Sequence, residues 1–265
     1  WKTRRAPANG SSRSASGVMG DRLIPFGVLV LFGAALVGFT VFGARLPARF
    51  RPMPGFESLG EAIERAVEAG ERVHVSLGTG SLTSPSAAPA LAGLSLLSHV
   101  AARTSMSDRP AVVTAADGGL VILAQDTMRA AYGRVASRER YQHTAARMLG
   151  PTPFSYAATL PTLLATENVS AHILLGSFGA EGALAADFGR QANTFVLAGS
   201  DDPPAQALLY ATAEHPLVGE EVFAGGAYLQ LGALHSASLR AQDVIRLGLI
   251  LAILAATALR TLGLI

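Results

Sequence analysis

Cysteine is absent from the 265-residue chain, which excludes disulfides, thiolate metal sites and cysteine nucleophiles. Charged residues are scarce, at 15% against about 25% in typical soluble domains. The formal net charge is only +2, and no part of the sequence beyond the N-terminal region carries a basic stripe of the kind that binds nucleic acid. Aromatic residues make up 6%, so most of the 50% hydrophobic content is aliphatic. We therefore expect no nucleic-acid partner.

Several motifs that identify cofactor and catalytic sites are missing as well. The chain has no G-x-G-x-x-G dinucleotide fingerprint, no P-loop with GK[ST] and no G-x-S-x-G nucleophile elbow. Six histidines are present, and no pair has metal-ligand spacing on one helix: His74, His99, His143, His172, His215 and His235. The sequence therefore predicts no catalytic residue, no metal ion and no cofactor.

A long uncharged segment lies near the N-terminus. Residues 1–22 are small, polar and basic, which predicts a disordered tail. Residues 23–44 carry no charge, and this length matches the ~20 residues that cross a bilayer. We predict a transmembrane helix there, because a signal peptide normally has a shorter apolar stretch. Residues 45–56 form a basic, proline-rich connector.

A second apolar segment closes the chain, at residues 243–265. Arg246 and Arg260 leave 13 uncharged residues between them, which is short for a membrane span, but arginines near the ends of a helix can reach the interface. We predict a second transmembrane helix, with an interfacial or oligomer-core helix as the alternative. The predicted partner is the lipid bilayer, with a bacterial inner membrane as the expected location, and the side of the soluble domain is left open.

Between these segments, residues 57–240 alternate strand and helix patterns. The predicted strands cover residues 73–77, 111–114, 171–175, 194–197 and 205–211. The predicted helices cover residues 58–69, 86–103, 120–135, 153–166, 181–190 and 219–231. A capping box of Ser58 and Glu61 is expected to open the first helix, and Gly70 to end it. This alternation predicts an α/β domain with a mainly parallel, Rossmann-like sheet and helices on both faces.

Two predicted strands share a sequence pattern. Residues 74–79 and 172–177 both read H-x-x-L-G-[TS], and each is a strand that runs into a loop of small residues, as far as Ser81 and Gly179. Ligands of open α/β sheets bind beyond the carboxyl ends of strands, so these loops predict a small-molecule site. The candidate binding residues are Gly78, Thr79, Gly80, Ser81, Asp117, Gly176, Ser177, Asp201 and Asp202.

A plainer interpretation of the same residues remains open. Glycine, serine and aspartate are common in ordinary turns between strands and helices. Aspartates there cap helices more often than they bind a cation. His74 and His172 lie in predicted strands, where packing in or near the core is more common than catalysis.

Five segments together resemble an uncharacterised family of bacterial, Chloroflexi-like, membrane-anchored proteins that share a domain of unknown function. They begin at Glu61, His74, Pro151, Gly176 and Gly219, and read EAIERA, HVSLG, PTPFSYAA, GSFG and GEEVFAGGAY. The resemblance covers roughly residue 56 to the C-terminus. It implies a membrane-tethered α/β domain, and it supplies no assigned catalytic residue.

These observations favour a non-catalytic, membrane-anchored scaffold or assembly subunit that self-associates as a homo-oligomer through its α/β domain. The alternative is a membrane-tethered domain that binds or senses a small molecule in the glycine-rich crevice. A hydrolase or transferase is the third hypothesis, and it requires polar groups to converge at the same strand ends.

Overall fold

The computed structural model describes residues 15–42 and 51–263. The predicted tail as far as residue 14, the last two residues of the predicted span (43–44), residues 45–50 of the predicted connector and residues 264–265 lie outside these described residues. The chain divides into two compact units. One comprises residues 1–47 and 237–265, and the other, called here the sheet unit, comprises residues 48–236.

Two helices are long and apolar enough to cross a membrane. They are α1, Ala15–Phe42, and α9, Ala233–Thr261. The window Pro25–Phe42 has a mean hydropathy of 2.2, the window in α9 has 1.8, and neither window is buried. Exposed apolar surface of this extent is unusual in a protein that lies in water, which suggests membrane association. The first helix begins at Ala15, so the prediction of a disordered tail is wrong for residues 15–22.

The sheet unit contains six parallel strands in the order β3-β2-β1-β4-β5-β6. The strands are β1 Arg72–Gly78, β2 Val112–Ala115, β3 Ala146–Met148, β4 Val169–Ser177, β5 Phe195–Gly199 and β6 His215–Leu217. Its helices are α2 Pro54–Ala69, α3 Ala88–Thr104, α4 Gly118–Arg134, α5 Pro153–Thr166, α6 Ala180–Gln191, α7 Pro203–Thr212 and α8 Glu221–Tyr228. The predicted α/β class is therefore confirmed, and the strand order is that of the doubly wound dinucleotide-binding fold.

Helices cover the sheet on both faces because the chain winds outward from its centre in two directions. The path β1-β2-β3 moves one way and β4-β5-β6 the other, and right-handed crossovers then place the connecting helices on opposite faces. Helices α3 and α4 pack together on one face, and α5, α6 and α7 pack in a row on the other. Strands buried on both faces read as continuous apolar runs, and β5 (FVLAG) is buried at every position.

Three details of the sequence prediction are wrong. Residues 205–211, predicted as a strand, form helix α7, because the Asp202 carboxylate caps the Ala205 amide and prolines occupy the first turn. Helix α2 begins at Pro54, so Ser58 and Glu61 lie inside it rather than forming a capping box. The three-residue edge strands β3 and β6 were missed because so short a run carries little periodicity.

The first and last segments of the sheet unit contact each other. The Tyr228 hydroxyl, at the end of α8, donates a hydrogen bond to the carbonyl of Arg51. The rings of Tyr228 and Phe56 stack, with centroids 5.7 Å apart and planes at 19°. The first described residues of the sheet unit therefore lie against its last helix, α8.

An ion-pair cluster joins the ends of three elements. Glu167, which follows α5, pairs with Arg72 at the start of β1 (Nε–Oε2 3.1 Å) and with Arg147 of edge strand β3. Arg72 also donates to the Pro110 carbonyl at 2.9 Å, at the entry to β2. The Glu167 side chain is only 19% exposed, so water screens these contacts less than it screens a surface pair.

We expect Glu167→Ala to lower the free energy of unfolding by about 1–2 kcal/mol, because it leaves two arginines without their shared carboxylate. Denaturant unfolding of the detergent-solubilised full chain measures this. Glu64→Ala is the matched control, since Glu64 pairs with Arg103 on the open surface and should cost less than about 0.5 kcal/mol. Equal losses in the two variants would contradict the assignment.

Candidate functional site

The strand order places the candidate site at the carboxyl ends of β1 and β4. These two strands lie side by side at the centre of the sheet, and their connections leave in opposite directions. Such a switch point leaves a crevice between the loops, where doubly wound proteins bind ligands. The shared H-x-x-L-G pattern is explained here, because His74 is paired with His172 in the register of the two strands.

Two glycines bring the strand ends into close contact. A Cβ atom on Gly176 would lie 2.1 Å from the Leu77 carbonyl oxygen, and one on Gly78 would lie 2.4 Å from the Ser177 carbonyl oxygen. Gly78 also has a φ of +89°, a conformation that side chains disfavour. Neither position therefore accepts another residue without movement of the backbone. The contact of Gly78 with Ser177, a residue that lines the cavity described next, forms the floor of the crevice.

A cavity of about 440 Å³ opens above this floor, a volume within the usual range for small-molecule sites. Five of the nine candidate residues line it: Thr79, Gly80, Ser177, Asp201 and Asp202. Ser86, Phe178, Gly179 and Pro203 complete the lining. The other four candidates do not line the cavity. Gly78 and Gly176 lie in the strand ends, and Ser81 and Asp117 bond to each other at 3.0 Å (Ser81 Oγ to Asp117 Oδ2).

Several backbone amides beside the crevice already have acceptors within the protein. The carbonyl of Ser177 accepts the amides of Thr79 and Gly80, at 2.9 and 3.3 Å. At the start of α6, the helix that follows β4, Glu181 Oε1 accepts the Gly179 amide at 2.8 Å and the Thr79 hydroxyl at 2.5 Å. A carboxylate of the protein thus lies at a helix N-terminus, where an anion would otherwise be favoured.

Two other helices that start at this end of the sheet are capped by an aspartate side chain. Asp117 Oδ1 accepts the Leu120 amide of α4 at 3.0 Å, and Asp202 Oδ2 accepts the Ala205 amide of α7 at 3.3 Å. Burial works to raise the pKa of Asp117, but hydrogen bonds from Leu120 and Ser81 outweigh it and hold that pKa below its usual value. The capping role anticipated for these two aspartates is confirmed.

The cavity is acidic. Its described lining includes Asp201 and Asp202, with no lysine or arginine among these residues. The Oδ1 atom of Asp201 is buried and has no hydrogen-bond partner within the described part of the chain. That oxygen is too deeply buried to be reached from the cavity, but the negative charge of the two aspartates favours a ligand group that carries positive charge.

Beneath the crevice, the sheet contains a buried polar cluster. His74 and His172 are fully buried, with stacked rings and their Nδ1 atoms 2.7 Å apart, so the expectation that they pack in the core is confirmed. Burial lowers the pKa of His172 to about 4, although the nearby backbone of Ala185 acts in the opposite direction. Burial, followed by the charges of His172 and Arg147, holds the pKa of His74 well below its usual value.

Sequence reasoning missed three residues of this region. Glu181, Thr114 and Tyr156 come from separate segments, and only the fold brings them near the two strand ends. Tyr156 lies within the PTPFSYAA segment that carries the family resemblance, which is the one signal that could have drawn attention to it. No group of three or more histidines, aspartates or glutamates that could hold a metal ion occurs within residues 15–42 and 51–263.

A larger cavity, of about 590 Å³, lies elsewhere on the sheet unit. Arg51, Tyr210, Leu217 and Glu221 are among its lining residues, so it lies at the outer strand β6. It is remote from the switch point, and no candidate residue lines it. We therefore place the candidate site in the smaller, central crevice.

The buried histidines make stability depend on pH. Both stay neutral in the folded protein, whereas in the unfolded chain they bind protons below about pH 6.5. Their contribution is therefore complete above pH 6.5 and is lost as the pH falls toward 4. We expect the free energy of unfolding to fall by about 1 kcal/mol per pH unit for each histidine in that window.

Unfolding of the detergent-solubilised full chain across this pH range tests the expectation. His172→Asn keeps a polar atom near the Nδ1 position and should reduce the slope below pH 6.5. His143→Gln, at an exposed histidine, is the matched control and should leave the slope unchanged. The same slope in all three proteins would show that the buried pair does not cause it.

A comparison with known proteins gives a match to a protein family. No curated protein matches it, and no solved structure does. One family matches residues 15–265, a range that includes both apolar helices and the whole sheet unit. The resemblance inferred from the five sequence segments is therefore confirmed at the level of an uncharacterised family. The chain belongs to the family described as a domain of unknown function, DUF6754.

Proposed function

We propose that this protein is a membrane-tethered domain that binds a small polar molecule, neutral or positively charged, in the crevice between β1 and β4. The observation that carries the proposal is the cavity of about 440 Å³ at the switch point, lined by five of the residues selected from sequence. Hydroxyls of Thr79, Ser86 and Ser177 offer hydrogen bonds, and the two aspartates offer negative charge.

The charge of the crevice argues against nucleotides. The amides of Thr79, Gly80 and Gly179 already have acceptors in the Ser177 carbonyl and Glu181, and a polyphosphate would face Asp201 and Asp202 at close range. Like charges in a partly buried site repel strongly. An amine matches the negative charge of these two aspartates, and the hydroxyls of the lining suit a polyol, so the ligand class follows from the lining.

Thermal unfolding of the detergent-solubilised full chain tests this proposal with four probes: spermidine, choline, glucose and NAD. A ligand that binds only the folded state adds about 2.7 kcal/mol at a 100-fold excess over its Kd, which raises Tm by several degrees. We expect a rise with an amine or with glucose, and none with NAD. A rise with NAD alone, or with none of the four probes, would contradict the proposal.

Two charge variants test whether a probe binds in the crevice. Asp201→Asn keeps the shape of the side chain, and we expect it to abolish most of the shift caused by a cationic probe. Asp187→Asn is the matched control, because Asp187 is a half-buried residue on α6 that lies outside the cavity lining and pairs with Arg190. A shift that persists in Asp201→Asn and disappears in Asp187→Asn would place the binding elsewhere.

Exposed apolar side chains on the sheet unit favour a second proposal, self-association of the α/β domain. Ile122 of α4, Met148 of β3 and Phe154 of α5 are 61%, 47% and 80% exposed. All three belong to elements at the β3 side of the sheet. Both edge strands have only three residues, and β6 contains Pro216, so pairing of sheet edges is disfavoured. Because pairing of sheet edges is disfavoured, we expect the copies to associate through the exposed side chains of the helices instead.

Light scattering of the full chain on a sizing column tests self-association. We expect an oligomer that dissociates in the double variant Ile122→Ser and Phe154→Ser. Tyr210→Ser removes an equally exposed aromatic residue from α7, next to the opposite edge, and should leave the oligomer intact. A monomer at micromolar concentration would contradict this second proposal and would leave the crevice proposal unaffected.

A further inference from the structure

A chain of hydrogen bonds crosses the middle of the sheet beneath the crevice. It runs from His172 on β4 to His74 on β1 (Nδ1–Nδ1 2.7 Å), and from His74 Nε2 to Thr114 Oγ1 on β2 at 2.8 Å. Thr114 Oγ1 lies 2.5 Å from the Tyr156 hydroxyl on α5, which lies 2.5 Å from Ser76 Oγ on β1. All five side chains are at most 1% exposed.

Burial of these side chains restricts which atom of each hydrogen bond can carry the proton. No water reaches a fully buried group, so every donor that lacks an acceptor costs free energy. Two neutral imidazoles whose Nδ1 atoms are 2.7 Å apart share a single proton, because one nitrogen donates and the other accepts. The chain therefore has two possible directions, and they differ in which of the two histidines donates.

One end of the chain favours one direction. There, the backbone amide of Gly78 donates to Ser76 Oγ at 3.4 Å, and an amide can only donate. Ser76 Oγ therefore accepts from Gly78 and can give its own proton to Tyr156. At the other end, His172 Nε2 has no hydrogen-bond partner among the described residues, so this end favours neither direction.

With this direction, each hydroxyl both accepts and donates. Ser76 accepts from Gly78 and donates to Tyr156, Tyr156 donates to Thr114, and Thr114 donates to His74 Nε2. The reverse direction would leave the Ser76 hydroxyl proton without a described acceptor. The burial that raises the pKa of Tyr156 to about 12 is consistent with a phenol that keeps its proton and donates it.

The chain ends at the floor of the crevice. Gly78, whose amide is its first donor, packs directly on Ser177, and the Ser177 carbonyl holds the Thr79 and Gly80 amides. Ser177, Thr79 and Gly80 line the cavity. A shift of Ser76 would therefore be transmitted to the cavity wall through Gly78.

We propose that this one-directional hydrogen-bond chain is a positioning device, in which Tyr156, Thr114 and His74 hold the Ser76–Gly78 contact and thereby the β1 loop of the crevice. His74 is then the Nδ1–H tautomer and His172 the Nε2–H tautomer, both neutral. The inference rests on the proposed function only in regarding this loop as the wall of a binding site. The chain itself exists without a ligand and is measured without one.

NMR of the full chain in detergent micelles, with ¹⁵N-labelled histidine, tests the direction. Long-range correlations within each imidazole ring report which nitrogen carries the proton. At neutral pH we expect Nδ1–H for His74 and Nε2–H for His172. The opposite assignment, or a charged ring at either position, would overturn the proposal, and this result requires no variant that has to fold.

Amide hydrogen exchange tests the positioning role. Tyr156→Phe removes the central hydroxyl and should accelerate exchange of the Gly78 amide about tenfold while exchange within β5 is unchanged. Tyr132→Phe, at an equally buried tyrosine outside the chain, should leave Gly78 unaffected. Equal exchange at Gly78 in the two variants would overturn the positioning role. Because no ligand is added, this outcome is independent of whether the crevice binds any probe.

Discussion

The close approach of β1 and β4 is the constraint on which the rest of the sheet unit depends. Gly78 and Gly176 let the two backbones meet where neither would tolerate a Cβ atom. That contact aligns His74 with His172 lower in the strands and sets the two loops side by side at the top. The polar chain in the core and the cavity above it are therefore two consequences of one packing arrangement.

The fold has the strand order of a dinucleotide-binding protein, but its crevice has the opposite electrostatics. In dinucleotide-binding members of that fold, a helix N-terminus and glycine amides remain free for phosphate. Here Glu181 accepts the Gly179 amide at the start of α6, and Asp201 and Asp202 add negative charge to the lining. A likeness in topology alone therefore does not give a ligand class, because the side chains of a site decide the charge of what can bind.

A contact between side chains joins the first and last segments of the sheet unit. Tyr228 of α8 bonds to the Arg51 carbonyl and stacks on Phe56 of α2. Binding in the crevice and self-association through the β3 side use different surfaces, so the two proposals are compatible with each other.

The sequence by itself determined the two apolar helices, the α/β class and five residues of the crevice, because these follow from hydropathy, periodicity and local turn chemistry. Residues 205–211 show where sequence patterns fail. Their apolar pattern fits a strand or a helix over seven positions, and they form a helix because the Asp202 cap and the prolines before them start one. Only the tertiary structure decided that Tyr156 and Glu181 belong to this region. Their roles depend on contacts between segments about 80 to 100 residues apart, and local sequence patterns contain no information on such pairings.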